Sequence, residues 1–254
     1  KIDVVVHSGD IGYADGYQPH WDVYMNKVED IVANVPYMVT PGNHEFGYNF
    51  TAYKERFYMP GVLDEGGSGD GMFYSWNVGK AHFVALNSET ALDTGNFKDD
   101  MIEWAARDMA GINRNSTPWL ISHFHRPMYC SNDKDCDFTY AGLLKSKAER
   151  TFHEAGVDLA FCGHIHAYER TAPVFANKVM PSGKAPVYIV QGASGNREGN
   201  KGDYPTDPSV IPPWSMSRHN EIGYALMTVE EHQLTWQFFN SDSGLLLDEV
   251  VLRK

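Results

Sequence analysis

Short apolar runs rich in β-branched residues, each closed by turn-forming residues, recur at residues 2–6, 119–122, 159–162 and 187–190. That pattern predicts buried strands. Between them, residues 21–32, 99–110 and 144–153 carry apolar side chains three and four apart, the spacing that lines one face of a helix. Residues 72–76 and 82–86 flank Asn77-Val78-Gly79 and predict a hairpin; further strands are predicted at 223–229, 234–240 and 246–252, with polar turns between them. Strands alternating with helices, then strands alone, predict an α/β fold with more than one sheet. The segments 64–71 and 192–213 are rich in Gly, Pro and Asp and long enough to border a site. No repeat or heptad divides the chain, so residues 1–254 read as one domain, with 215–254 its strand-rich C-terminal segment.

Composition narrows the class. The 254 residues, 43% of them hydrophobic and 21% charged, suffice for a full core. No apolar run approaches the roughly 18 residues that cross a bilayer, and the chain opens on a strand without a basic leader. The net charge of −12 argues against a nucleic-acid duplex as partner, since that affinity comes from Lys and Arg neutralising phosphates. It would also repel phosphorylated small molecules, unless bound multivalent cations reverse the field locally. Cys130 and Cys136 bracket a polar segment and predict a loop disulfide, whereas Cys162 lies in an apolar run and reads as a buried thiol. The triplets Asn49-Phe50-Thr51 and Asn115-Ser116-Thr117 are N-glycosylation acceptors and favour a secreted or lysosomal protein, although such triplets also arise by chance.

Four segments carry the chemistry. Apolar stretches end in Gly9-Asp10-Ile11-Gly12-Tyr13, in Gly42-Asn43-His44-Glu45, in His123-Phe124-His125-Arg126-Pro127 and in Gly163-His164-Ile165-His166. Any one of these alone is an ordinary polar turn or a satisfied histidine. Together they place oxygen and imidazole ligands wherever a buried strand ends, the position at which α/β sheets bind ligands. His164 and His166 alternate, so in an extended segment both face one side. Two metal ions about 3.5–4 Å apart can neutralise a phosphate ester, generate a nucleophile and stabilise the leaving oxygen.

These four motifs, in this order, together with His125-Arg126-Pro127-Met128-Tyr129, resemble those of the purple acid phosphatases, a branch of the calcineurin-like metallophosphoesterases, and most closely the animal-type members. The wider superfamily shares Gly-Asp, Gly-Asn-His and Gly-His-x-His, whereas Tyr13 makes the narrower resemblance. It implies a two-sheet β-sandwich flanked by helices, and an acid phosphatase that hydrolyses phosphate monoesters and releases inorganic phosphate. It implies a dinuclear centre of Fe(III) and a divalent zinc, iron or manganese, with a metal-bound hydroxide as nucleophile. Carried over by residue, Asp10 bridges the metals, Tyr13 and His166 bind the ferric ion, and Asn43, His125 and His164 hold the divalent one. Hard phenolate and carboxylate suit Fe(III), and imidazole and amide suit a divalent ion. His44 is then the catalytic group that orients phosphate or protonates the leaving oxygen.

Two departures stand out. The family's Asp-x-Gly at the end of an earlier strand has no counterpart here, so the catalytic domain is expected to be N-terminally incomplete, lacking its first strand, or else its ferric site is short of a ligand. In the third motif, Ser122 stands where the family usually has Val, and His125 rather than His123 is taken as the ligand. Asp133, Asp135 and Asp137 occupy the stretch where plant-type members carry further histidines. His123 is expected either to face the other side or to contact substrate, and His219 is a candidate because the Pro-rich loop before it can fold over the site; His7 and His20 flank the Tyr13 loop and are candidates to support it, whereas His82, His153 and His232 read as structural. The alternatives are a calcineurin-like phosphodiesterase using the same residues, or a non-catalytic metal-binding module. Gly192-Ala193-Ser194-Gly195-Asn196 lacks the last glycine of a serine-hydrolase elbow, and Gly79-Lys80-Ala81 lacks the hydroxyl residue of a P-loop.

Overall fold

In the computed structural model, which describes residues 1–62, 66–90, 99–132, 136, 138–200 and 202–254, β1 (Val5–Ser8) runs parallel to β2 (Tyr37–Thr40), with Ser8 opposite Thr40. Parallel strands need a crossover, and here it is α1 (Pro19–Val32). Pro19 sits in its first turn, where a missing N–H removes no helical bond. Trp21 is the buried anchor of this helix, edge-on to Tyr24 and Phe57. A 3-10 turn, Asn43–Glu45, and a short helix, α2 (Thr51–Arg56), follow β2.

A seven-stranded sheet carries the rest of the core. Its members are β3 (Tyr74–Val78), β4 (Ala81–Ala85), β5 (Trp119–Phe124), β6 (Leu159–Cys162), β7 (Tyr168–Thr171), β10 (Val187–Gln191) and β11 (Ser215–His219), in the order β11-β7-β10-β6-β5-β4-β3. A small ladder of β8 (Val174–Phe175) and β9 (Lys178–Val179) lies apart from it. β4, β5, β6 and β10 are mutually parallel. Every residue of β4, β5 and β6 is buried, which is why they read as unbroken apolar runs rather than alternating ones.

One face of this sheet is covered by α3 (Asp99–Ala110) and α4 (Phe138–Ala155), whose Met101, Ala105, Leu144 and Phe152 join Val84, Leu120 and Phe124 in one core. The other face receives an antiparallel sheet of β12 (Gly223–Val229), β13 (Gln233–Asn240) and β14 (Leu246–Arg253). Leu234, Trp236 and Phe238 alternate along β13, as a half-buried strand requires, and pack on Phe83, Ile121, Phe161 and Tyr168. The result is the expected two-sheet arrangement flanked by helices.

Some bounds differ from expectation. β1 begins at Val5, because Ile2, although apolar, is 49% exposed. The hairpin turns on Gly79-Lys80, with Gly79 at φ 54°, so Val78 pairs with Ala81 inside the ladder. α4 is longer at both ends than residues 144–153. β7 and β11 escape the apolar pattern because both are polar: Glu169 is buried in β7 on Ser131 and Ser215, and Arg170 pairs with Asp248. Residues 64 and 65 of the first predicted loop, and Asp133, Asp135 and Asp137, lie outside the described residues. Among the described residues no helix is long and apolar enough to cross a membrane.

Candidate metal centre

Immediately beyond the carboxyl ends of β1, β2, β5 and β6 come Gly9-Asp10, Pro41-Gly42-Asn43, His125 and Gly163-His164, where α/β sheets collect ligands. The loops touch there. A side chain at Gly9 would strike the His125 imidazole, and one at Gly42 would strike the Asp10 backbone and carboxylate. Asp10, Tyr13, Asp15 and His164 have left-handed backbones, with φ of 55°, 47°, 49° and 67°. Each such residue costs about 1 kcal/mol or more, and such strain gathers at functional sites.

The charge pattern centres on His125. Its Nδ1 lies 2.8 Å from the Ser8 carbonyl and must donate to it, which in the neutral ring leaves a lone pair on Nε2. That nitrogen is 3.1 Å from Asp10 Oδ2, 3.1 Å from Asn43 Oδ1 and 3.2 Å from His164 Nδ1. Nitrogen and oxygen atoms from four loops thus face one another across one small volume, an arrangement that a cation satisfies by displacing the ring protons that point into it. Asp10, His125 and His164 each offer one ligand atom within 4.8 Å of the others. Burial opposes charge on His125, but Asp10 and its hydrogen bond outweigh burial and hold that imidazole up at about 9. Burial alone would raise Asp10, yet His125 keeps its carboxyl well below the usual range. Burial, with His125 and Arg126 nearby, pushes His164 down to about 2, so its ring is a neutral donor. The group fits a metal: one carboxylate, one amide and two imidazoles converge, and a bound cation would take the place of the proton that Asp10 favours on His125.

A second cluster adjoins it. Tyr13 Oη lies 2.9 Å from His166 Nε2, while burial, Asp10 and Glu198 push the phenol far above its ordinary value. A phenolate there needs a strong positive charge beside it. The His44 ring packs 4.2 Å from that of Tyr13, and its Nδ1 is 2.6 Å from Asp15 Oδ1. The predicted 192–213 loop does border the site: Arg197 pairs with Asp15 and lies 5.7 Å from the Tyr13 ring, and the Gly199 carbonyl is 3.3 Å from His166 Nδ1.

Sequence reasoning missed a supporting layer. Ser88 Oγ accepts the backbone N–H of His125 (3.1 Å) and of Arg126 (2.9 Å) and donates to Glu89 (2.8 Å). Glu89 in turn accepts from Arg126 Nε at 2.8 Å, and Arg126 donates to His164 Nε2 at 3.1 Å. The available signal was the one that singled out the candidate ligands, since Asn87-Ser88-Glu89 also follows a buried strand. Asp15, two residues past Tyr13, was overlooked as well.

The remaining candidates separate. His123 is fully buried, stacked on Phe161 and edge-on to Trp76, and burial drives it down to about 3. It faces the other side of the strand, the first of its two expected placements, where a substrate cannot reach it. His219 lies in β11 against Tyr168 and Phe238 and lines a separate cavity of about 500 Å³ with Tyr204 and Arg218; it does not join the histidine cluster. His7 bonds to Tyr37 (2.8 Å), and His20 Nδ1 is 3.3 Å from the Tyr13 carbonyl. His82 bonds to Asn77 and Asp108, and His153 stacks on Phe175, both structural as expected. Cys130 and Cys136 are disulfide-bonded with Cα atoms 5.9 Å apart, Cys162 is a buried free thiol, and Asn49 and Asn115 are exposed.

Comparison with known proteins agrees with this geometry. Residues 1–168 match the calcineurin-like phosphoesterase family, and residues 185–249 match the iron/zinc purple acid phosphatase-like protein C family. Acid phosphatase type 7 of Danio rerio is 35% identical over 99% of this chain and 62% of its own length. Purple acid phosphatase 18 of Arabidopsis thaliana is 37% identical over 99% of this chain and 57% of its own. The chain thus spans about three fifths of the length of these relatives. The purple acid phosphatase PPD1 of yellow lupin (Lupinus luteus) seeds superposes with a TM-score of 0.85 at 23% identity, covering 100% of this chain and 47% of that one, which establishes the fold.

Proposed function

This chain belongs to the calcineurin-like phosphoesterases and, within them, to the purple acid phosphatases, and on that premise we propose that it is an acid phosphatase of phosphate monoesters, releasing inorganic phosphate. The observation that carries the reading is the meeting of Asp10, Asn43, His125 and His164 around one volume, with Tyr13 and His166 beside it. Asp10 is proposed to bridge two metals, Tyr13 and His166 to hold Fe(III), and Asn43, His125 and His164 to hold zinc, iron or manganese as the divalent ion. Residues 1–254 are proposed to form its metallophosphoesterase domain. When bound, the two ions supply Lewis acidity toward phosphate oxygens and an activated water.

The protein's own groups do the rest. Asp15 accepts from His44 Nδ1 at 2.6 Å, which fixes the ring and leaves Nε2 to carry a proton to the leaving oxygen. Arg126, anchored by Glu89, fixes the orientation of the His164 ring. A secreted or lysosomal location is proposed from the disulfide and the exposed Asn49 and Asn115.

The test is the visible spectrum of the oxidised protein. Phenolate bound to Fe(III) absorbs strongly, so a purple band that disappears in Tyr13→Phe is expected. A colourless protein that binds two metals and cleaves aryl phosphates would exclude the ferric assignment.

A further inference from the structure

The ladder between β1 and β2 stops at Ser8 and Thr40, short of the residues that carry Asp10 and Asn43. Beyond that point the Glu45 side chain bonds to the backbone of both loops. Glu45 is 2% exposed. Its Oε2 accepts the backbone N–H of Asp10 and that of Gly42, both at 2.8 Å, and its Oε1 accepts that of Ile11 at 2.8 Å. One oxygen therefore straddles both ligand loops. The Gly42 bond caps the 3-10 turn that presents Asn43 and His44. The Asp10 and Ile11 bonds stabilise a left-handed backbone at Asp10, which an L-residue keeps only when its surroundings impose it. From the other side the His44 N–H reaches Asp10 Oδ1 at 3.2 Å.

We infer that Glu45 is the positioning residue that sets the separation of the Asp10 and Asn43 ligands, its carboxylate replacing the missing ladder bonds between β1 and β2. The inference rests on the metal-centre reading above. Glu45 touches neither substrate nor metal; it acts through the two loops. Only a carboxylate of this length serves, because all of its hydrogen bonds here are accepted ones. A glutamine that keeps its single oxygen between the Asp10 and Gly42 N–H groups turns its N–H₂ toward the Ile11 N–H, replacing an accepted bond by a donor–donor contact that displaces the first loop, and an aspartate is one methylene too short to straddle both.

The experiment measures zinc affinity of the metal-stripped full chain by chelator competition, for wild type, Glu45→Gln and Glu45→Asp. Glu169→Gln is the control, since Glu169 is another buried carboxylate (1% exposed) that accepts a backbone N–H, from Ser131 at 2.8 Å, away from the ligand loops. Glu45→Gln is expected to lower zinc affinity about 10–100-fold, as loss of a partner behind a ligand does. Glu45→Asp falls between, Glu169→Gln matches wild type, near-ultraviolet circular dichroism is unchanged, and excess zinc restores the affinity-limited signal. Wild-type affinity in Glu45→Gln overturns the inference, as does an equal loss in Glu169→Gln, or loss of the near-ultraviolet signal in both Glu45 variants. A wild-type protein that binds fewer than two metals would instead count against the metal-centre reading and would appear before any variant is compared.

Discussion

The two halves of the proposed metal centre are built differently. His125 and His164 leave β5 and β6, strands buried along their whole length in the seven-stranded sheet. Asp10 and Asn43 leave β1 and β2, a two-stranded pair with half-buried positions, and reach the site on loops with left-handed backbone at Asp10, Tyr13 and Asp15. The first half inherits its strand geometry from close packing, which tolerates little displacement, and adds the Ser88, Glu89 and Arg126 bonds only where His125 and the left-handed His164 leave the sheet. The second is assembled from hydrogen bonds to loop backbone. Ligands can therefore be precise without standing on regular structure, provided that buried polar partners replace the missing ladder.

The strongest way to break this comparison is to remove Asp10, the residue proposed to serve both halves. Asp10 is 3.1 Å from His125 across the divide. Asp10→Asn is expected to lower kcat/KM for an aryl phosphate roughly a thousandfold or more, because a metal contributes several kcal/mol of charge stabilisation. The measurement pairs steady-state rates with metal content. A variant that keeps both metals and more than a tenth of the rate would remove Asp10 from its bridging role.

Next in size is His44, which belongs to the loop-built half but touches no other ligand's ring nitrogen. His44→Ala should cost about a hundred- to ten-thousandfold in kcat, the usual range for a proton donor, with metal content unchanged. Substrates whose leaving groups depart without a proton sharpen the assignment, because the loss should shrink for them. Equal loss across leaving groups would make His44 a phosphate-orienting group instead.

Within the sheet-built half, two histidines two residues apart make the contrast electrostatic. His123 and His125 are both fully buried, yet one is driven down to about 3 by burial and the other held up at about 9 by Asp10. For His123 the folded value lies below the ordinary 6.5, so the unfolded chain takes up a proton that the folded one refuses. Stability is then intact above pH 6.5 and declines as pH falls from there toward about 3. By pH 4.5 the loss from this group is roughly 2–3 kcal/mol. His123→Phe should flatten that decline, read as urea midpoints at pH 7 and 4.5 against wild type. An unchanged difference between the two pH values would mean that His123 is charged in its stack.

How much of this was legible follows from the same contrast. β5, β6 and β10 could be read because burial on both faces leaves unbroken apolar runs, and β13 because it alternates. β7 and β11 could not, since Glu169 and Arg170 are satisfied by Ser131 and Asp248, partners remote in sequence. Asp10, Asn43, His125 and His164 were legible because each follows a strand end, and the motif resemblance sharpened their roles. Ser88, Glu89 and Asp15 gain their meaning only when the chain brings Arg126 and His44 to them. His123 and His219 stayed undecided because a histidine near a motif looks the same in sequence whether it faces metal or a tryptophan.

The smallest expected effect lies at the rim of the loop-built half. Asp15 accepts from His44 Nδ1 at 2.6 Å and also pairs with Arg197. Its side chain is 44% exposed, so water screens the pair and an isolated bond of this kind contributes about 1 kcal/mol at most. Asparagine can still accept from Nδ1 through its carbonyl oxygen, which preserves the ring orientation while removing the charge. Asp15→Asn should therefore lower kcat about three- to tenfold with KM and metal content unchanged, whereas Asp15→Ala, which also frees the ring, should lower it further. If the two variants were equally impaired, charge rather than orientation would be what Asp15 gives His44. If neither were impaired, His44 would be held by its packing on Tyr13 alone.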